Sequence, residues 1–319
     1  MILDKRADLR HGDVKKLLFS LSVPTITSQI VNMLYNLVDR VFIGHMQPAE
    51  TVGKLALTGV GVCLPIIMVI SAFASLMAIG GAPRASIAEG AGESEKSERI
   101  MGNCLTMLVI TALVLTVLFE SFAEPLLLMF GASENTIGYA LDYMRIYALG
   151  TIFVQLTLGM NAYITAQGFA TVSMKTVLIG ALLNTALDPL FIFVLGLGVR
   201  GAALATVISQ AVSAAFVLRF LTGRQAELKI GFRGFRPDFA CIRRIATLGV
   251  SSFVMSFTDS LVQIACNATL LTFGGDIYIS VMTVLNSVRQ IAQTPVMAIA
   301  DGATAVISFN YGAKAYSRV

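Results

Sequence analysis

The sequence predicts an all-α, polytopic membrane protein, with a six-helix amino-terminal lobe followed by the first two helices of a second lobe. Three observations predict it: the composition, the distribution of Lys and Arg between two faces, and an echo of the chain's beginning near its end. The chain has 319 residues, of which 56% are hydrophobic and only 13% charged, with a mean hydropathy of +0.78. Soluble domains carry about 25% charged residues, so an ordinary soluble protein is excluded. A β-barrel would show short alternating segments. Here the apolar runs are long and continuous, which makes them helices.

Eight runs reach or approach the ~20 residues that a bilayer needs: 17–43, 55–80, 102–123, 138–164, 173–195, 198–221, 245–272 and 278–305. Residues 1–16, "MILDKRADLRHGDVKK", are polar and basic, and read as a cytoplasmic amphipathic tether lying along the membrane surface. They are followed by too long an apolar run for a cleavable signal peptide. With these spans, all of the 23 Lys and Arg except Arg40, Lys54, Arg145, Arg200 and Arg289 fall on one side. The positive-inside rule makes that side cytoplasmic. Both ends of the chain then lie inside, and the expected location is the cell membrane.

The basic stretch 222–244 reads as a cytoplasmic linker between 17–221 and an incomplete carboxyl-terminal lobe, 245–319. "LSVPTITSQIVN" (21–32) can be laid on "LGVSSFVMSFTD" (248–259), and "APRASIAEGAGESEKS" (82–97) on "GATAVISFNYGAKAYS" (302–317). Repeated halves around a central site are a common transporter plan. The expectation is a second copy cut short by about four helices.

Other chemistries have little support. Cys63, Cys104, Cys241 and Cys266 are scattered, without CxxC spacing, and read as small packing residues. His11 and His45 stand apart in polar flanks. No nucleophile–base pair or metal cluster is visible, so an enzyme is not expected, and neither a cofactor nor a nucleic-acid partner.

Polar residues inside the spans are the informative ones, because a carboxylate at the bilayer centre costs about 2.5–3.5 kcal/mol on insertion scales. In the first span Asn32, Tyr35, Asn36 and Asp39 are spaced to share a helical face. In the fifth, Asn184 and Asp188 are four apart, and Pro189 frees the carbonyl of Thr185. Counted from the outer ends of their spans, Asp39 and Asp188 lie roughly 6 and 10 Å deep at about 1.5 Å per residue. Thr206 in the sixth span reaches the same layer. Two carboxylates held there resist joint ionisation, so the pair can take up and release a proton or bind a small cation through oxygens. Alternative readings stay open: Asp188 as a local cap at a kink, Asp39 as a headgroup-level residue paired with Arg40, and Asn32 and Asn36 as interhelical glue. Asp259 and Arg289 in the last two spans suit either a structural ion pair or a second site.

"SVPTITSQIVNMLYNLVDRVFIG" (22–44), "NTALDPLFIFVLGLGVRGAALATVIS" (184–209) and "SFNYGAK" (308–314) resemble the MATE family, multidrug and toxic compound extrusion transporters. The resemblance covers essentially the whole chain. It implies twelve helices in two six-helix lobes around a central cavity, with drug exit coupled to entry of H⁺ or Na⁺ by alternating access. It also implies a coupling-ion site of Asp39, Asp188, Asn184 and Thr206, supported by Asn32, which stands where some members carry Gln. Na⁺ at Asp39 and Asp188 is the one metal it implies. Asn36, Tyr35, Asn161 and Asp259 become candidates for substrate or a second cation. The implied partners are small organic cations and the bilayer, with a monomeric full-length protein. A lipid-linked oligosaccharide flippase and a non-transporting membrane binding protein are the alternatives.

Overall fold

The computed structural model describes residues 7–230 and 237–319, without the side chains of 49–50 and of most positions between 256 and 294. Among the described residues every regular element is a helix. Nine α-helices follow one another: α1 (Val14–Gly44), α2 (Lys54–Gly90), α3 (Ser94–Ser121), α4 (Ala123–Met129), α5 (Ile137–Leu149), α6 (Thr151–Ala166), α7 (Ala170–Pro189), α8 (Gly198–Thr222) and α9 (Phe239–Gly312). Five of the described helices are long and apolar enough to cross a membrane, or six when α5 and α6 count as one bent span.

α1 begins where Asp13 accepts a hydrogen bond from the Lys16 backbone N–H at 3.0 Å, satisfying a donor that the first turn leaves free. Residues 8–12, within the stretch read as a tether, are not helical. The Asp8 carboxylate accepts from the backbone N–H groups of Arg10 and His11, which closes a turn instead. α2 is the central strut, and its second half is rich in buried small residues, including Ala74, Ala78, Gly80, Gly81, Ala82, Ala85 and Ala88. It ends at Gly92, whose φ of +80° lets Glu93 N–H reach back to the Ala88 carbonyl, the usual way a left-handed residue closes a helix.

The expected span 138–164 is broken. α5 and α6 meet at Gly150 with a bend of 55°. A Cβ at Gly150 would collide with Val207 of α8, so the close approach of α8 at the bend depends on the missing side chain. The short α4 after α3 was not expected either.

Nor is the stretch after α8 a free linker where it is described. Gln167, 2% exposed, accepts from the backbone N–H groups of Glu227 and Leu228 at 3.0 Å each, and Ala226 and Leu228 are buried beneath it. α9 starts six residues before the expected span at 245. Its cap Asp238 accepts from the Ala240 N–H and pairs with Arg99 of α3 at 2.9 Å.

The two expected helices 245–272 and 278–305 are continuous in helical assignment as α9. Yet α9 is not straight. Gly249 packs on Leu76 and Gly312 on Ile87, both in α2. A straight helix would carry those two glycines about 95 Å apart, whereas Leu76 and Ile87 are separated by about 16 Å along α2. The chain therefore leaves α2 and returns to it, which is the course that two crossings require.

Candidate functional site

The site forms where α1, α7 and α8 converge. α1 runs along α7, which brings the acids of the two helices together. Asp188 is fully buried and Asp39 only 9% exposed. One Asp188 oxygen accepts from the Asn184 side-chain amide at 3.2 Å, and the same amide reaches Thr206 Oγ1 at 3.4 Å. These bonds join Asn184, Asp188 and Thr206, three of the residues placed in one layer from the sequence, and Asp39 is carried by the helix that packs along α7.

One of the alternative readings does not match the geometry. Asp39 is buried and makes no salt bridge to Arg40 among the described residues, which leaves its headgroup-level reading open. Asp188 takes a side-chain amide, so it does not cap a backbone N–H. Pro189 does mark a change in the helix. α7 stops there and a π-turn, Leu190–Val194, follows, with Leu195 N–H bonding the Leu190 carbonyl. Gly201 of α8 lies against the Phe191 carbonyl of that turn, which explains the small residues of "GVRGAALAT" as a close-packing surface.

Three buried oxygens here have no hydrogen-bond partner: Asp39 Oδ1, Asp188 Oδ2 and Asn184 Oδ1. The Asn184 amide faces its donor end to Asp188 and Thr206, which leaves its oxygen as the free atom. Buried polar atoms are nearly always satisfied, so these free acceptor oxygens are suited to take a donor or a cation. A proton or a small hard cation such as Na⁺, which takes oxygen ligands, fits these residues. No group of three or more His, Cys, Asp or Glu suited to a metal occurs among the described residues.

Beside the cluster is a cavity of about 420 Å³ between α1, α2, α6, α7, α8 and α9. Asn32, Tyr35, Asn161, Asn184 and Thr206 line it, as the sequence suggests. Asn161 donates to the Ser173 carbonyl at 3.3 Å at the end of the cavity where α7 begins. Asn36 is a correction. It is exposed, its amide is turned back to the Asn32 carbonyl at 2.7 Å, and it does not line the cavity. A stripe spaced 3, 4 and 7 covers more of a helix than the cavity touches. The Asp259 side chain lies outside the described residues, and Arg289 and Arg145 are exposed and away from the lining. Asp301, Ser209 and Gln210 line the cavity without having been singled out from the sequence. For Asp301 a signal existed: a carboxylate inside "VMAIADGATAVIS", as costly there as Asp188 is in its own span.

The MatE family profile matches residues 24–190, a little over half of the chain. The chain belongs to the MatE family. It is 27% identical over 301 residues to the multidrug export protein MepA of Staphylococcus haemolyticus, a match covering 94% of this chain and 65% of that protein. Among solved structures it superposes on the outward-facing conformation of a multidrug resistance MATE family transporter with a TM-score of 0.89 and 26% identity, covering 98% of this chain and 69% of that one. The same TM-score, identity and coverage hold for a MOP superfamily transporter from Pyrococcus furiosus, described as having a binding pocket of reversed polarity that suggests a different function. The MatE chain thus spans about two thirds of the length of the relatives it matches. It is a multi-pass membrane protein of a transporter family.

Proposed function

We propose that the protein of which this chain forms at least the larger part is a cation-coupled exporter of amphipathic organic cations, working by alternating access in the cell membrane. The observation that carries this reading is the pair of buried acids, Asp39 and Asp188, with Asn184 beside Asp188: each of the three has an unpartnered oxygen, and Asn184 also lines the cavity. A proton or Na⁺ bound there supplies the missing positive charge. Asn184 holds the Asp188 carboxylate in place and is itself held by Thr206, and Tyr35 lines the cavity nearby. Binding and release of the ion change the hydrogen bonding next to Pro189, where the π-turn already interrupts the regular ladder. That makes α7 the element able to respond. The Lys and Arg distribution supports a cytoplasmic amino terminus. The site is expected to work within a monomer.

The multidrug export role of the MepA relatives supports this reading. The cavity lining also favours it over a lipid-linked anion flippase: its described ionisable residues are Asp301 and Tyr35, with no Lys or Arg. Dye efflux from cells expressing the chain, alone and extended through its downstream reading frame, tests it. Asp39→Asn and Asp188→Asn should each abolish ion-driven efflux at unchanged expression. Normal pH- or Na⁺-driven efflux by Asp188→Asn would sink the coupling role.

A further inference from the structure

Asp301 stands apart from the coupling cluster. It is carried by α9 and lines the cavity together with Thr304 and Ala305. Its neighbour Gly302 packs on Ser22 near the start of α1, which puts Asp301 about 25 Å along α1 from Asp39. The two acidic positions are therefore well separated, and only Asp301 lines the cavity. The wall that α6 and α8 contribute offers further acceptors: Asn161 Oδ1, Gln210 Oε1 and Ser209 Oγ have no hydrogen-bond partner, and Ser209 is 3% exposed. The lining thus combines one carboxylate with unpaired oxygens, and no described Lys or Arg neutralises it. A carboxylate inside a membrane-spanning segment faces a cavity or a partner, and among the described residues Asp301 has the cavity alone.

We propose that Asp301 is a substrate-binding residue: the counter-charge that holds the cationic group of the exported compound, separate from the coupling ion at Asp39 and Asp188. This rests on the export reading above. It divides the labour between separate positions: charge selection falls to α9, and energy coupling to α1 and α7.

The test is equilibrium binding to the purified chain in lipid nanodiscs. The probes are tetraphenylphosphonium, a bulky cation, and triphenylphosphine oxide, a neutral molecule of related shape. Asp301→Asn should weaken tetraphenylphosphonium roughly tenfold, the loss expected when one ion pair is removed, and leave triphenylphosphine oxide unchanged. Asp301→Glu should restore the cation. Unchanged cation binding in Asp301→Asn, or an equal loss of both probes, overturns the proposal while leaving export intact. Failure of the unsubstituted chain to bind either probe overturns this proposal and counts against the export reading as well. Asp188→Asn serves as the contrast, since it should keep the cation-over-neutral preference.

Discussion

The Asn184 side-chain amide donates to the Asp188 carboxylate one helical turn away and to the Thr206 hydroxyl of the neighbouring helix. One amide thus ties a buried acid to two helices, and its loss should be felt in stability as well as in function. Asn184→Leu removes both bonds and leaves buried acceptors unmatched, a cost of about 1–3 kcal/mol. Asp188→Asn removes a buried charge and keeps an amide in its place, so its thermal midpoint in detergent should match or exceed that of the unsubstituted chain. A melting series at fixed detergent and pH checks both. A large drop in midpoint for Asp188→Asn would show that the carboxylate holds the fold together and is not there for an ion.

Gly81 tests how tightly α2 is packed. A Cβ at this position would run into the Tyr163 hydroxyl and the Cys104 sulfur. Tyr163 and Cys104 are fully buried, so neither can swing out. Gly81→Ala should therefore destabilise by about 1–3 kcal/mol, as overpacking does. Tyr163→Phe removes the colliding oxygen, so the double variant should recover part of that loss. A double-mutant cycle on thermal unfolding reads the coupling. Simple additivity of the two changes would mean that the helices adjust and the contact carries no strain.

How far the site could be read in advance follows from what the membrane forbids. Asp39, Asn184, Asp188 and Thr206 were legible because charges and amides stand out against apolar spans, and helix geometry then fixes which of them share a layer. Asn36 was misassigned because spacing alone cannot say which edge of a polar stripe meets a cavity. Asp301 carried the same chemical signal as Asp188, but without an Asn one turn away. Its position on the cavity depends on α9 returning to α1 and α2, which no local pattern encodes. The close packing at Gly150 depends on Val207, 57 positions later. Docking of residues 226–228 depends on Gln167, some 60 positions earlier.

Gln167 makes that last dependence measurable. Gln167→Leu leaves the backbone N–H groups of Glu227 and Leu228 without their shared acceptor, and Leu228 is buried. Hydrogen exchange at amides 227 and 228 should speed up by about tenfold or more, in line with about 1–3 kcal/mol for an unmatched buried donor. Gln167→Glu keeps the acceptor and should keep most of the protection. Equal exchange in all three proteins would show that the stretch after α8 is held by the burial of Ala226 and Leu228 alone.

Arg318 ties the two ends of the described chain together. Its guanidinium donates to Asn310 Oδ1 at 2.9 Å, to the Gly12 carbonyl at 2.6 Å and, more weakly, to the Leu9 carbonyl at 3.4 Å. Asn310, fully buried, bonds the same Leu9 carbonyl at 3.0 Å, and the Ala7 N–H reaches the Gly168 carbonyl. Residues 7–12 are thereby strapped both to the turn before α7 and to the end of α9. Arg318→Ala removes three donor contacts. Hydrogen bonds from a charged donor are worth about 1.5–3 kcal/mol each when well formed, so exchange at the amides of residues 8–13 should rise by one to two orders of magnitude. Arg318→Lys should restore little of it, because a single ammonium cannot reproduce the fork that meets Asn310 and Gly12 together. Limited proteolysis near residues 8–12 gives a second readout, with faster cleavage expected in Arg318→Ala. Full protection in Arg318→Ala would assign the strap to the apolar contacts of Leu9 and Leu17 with Val306 and Phe309, which the substitution leaves in place.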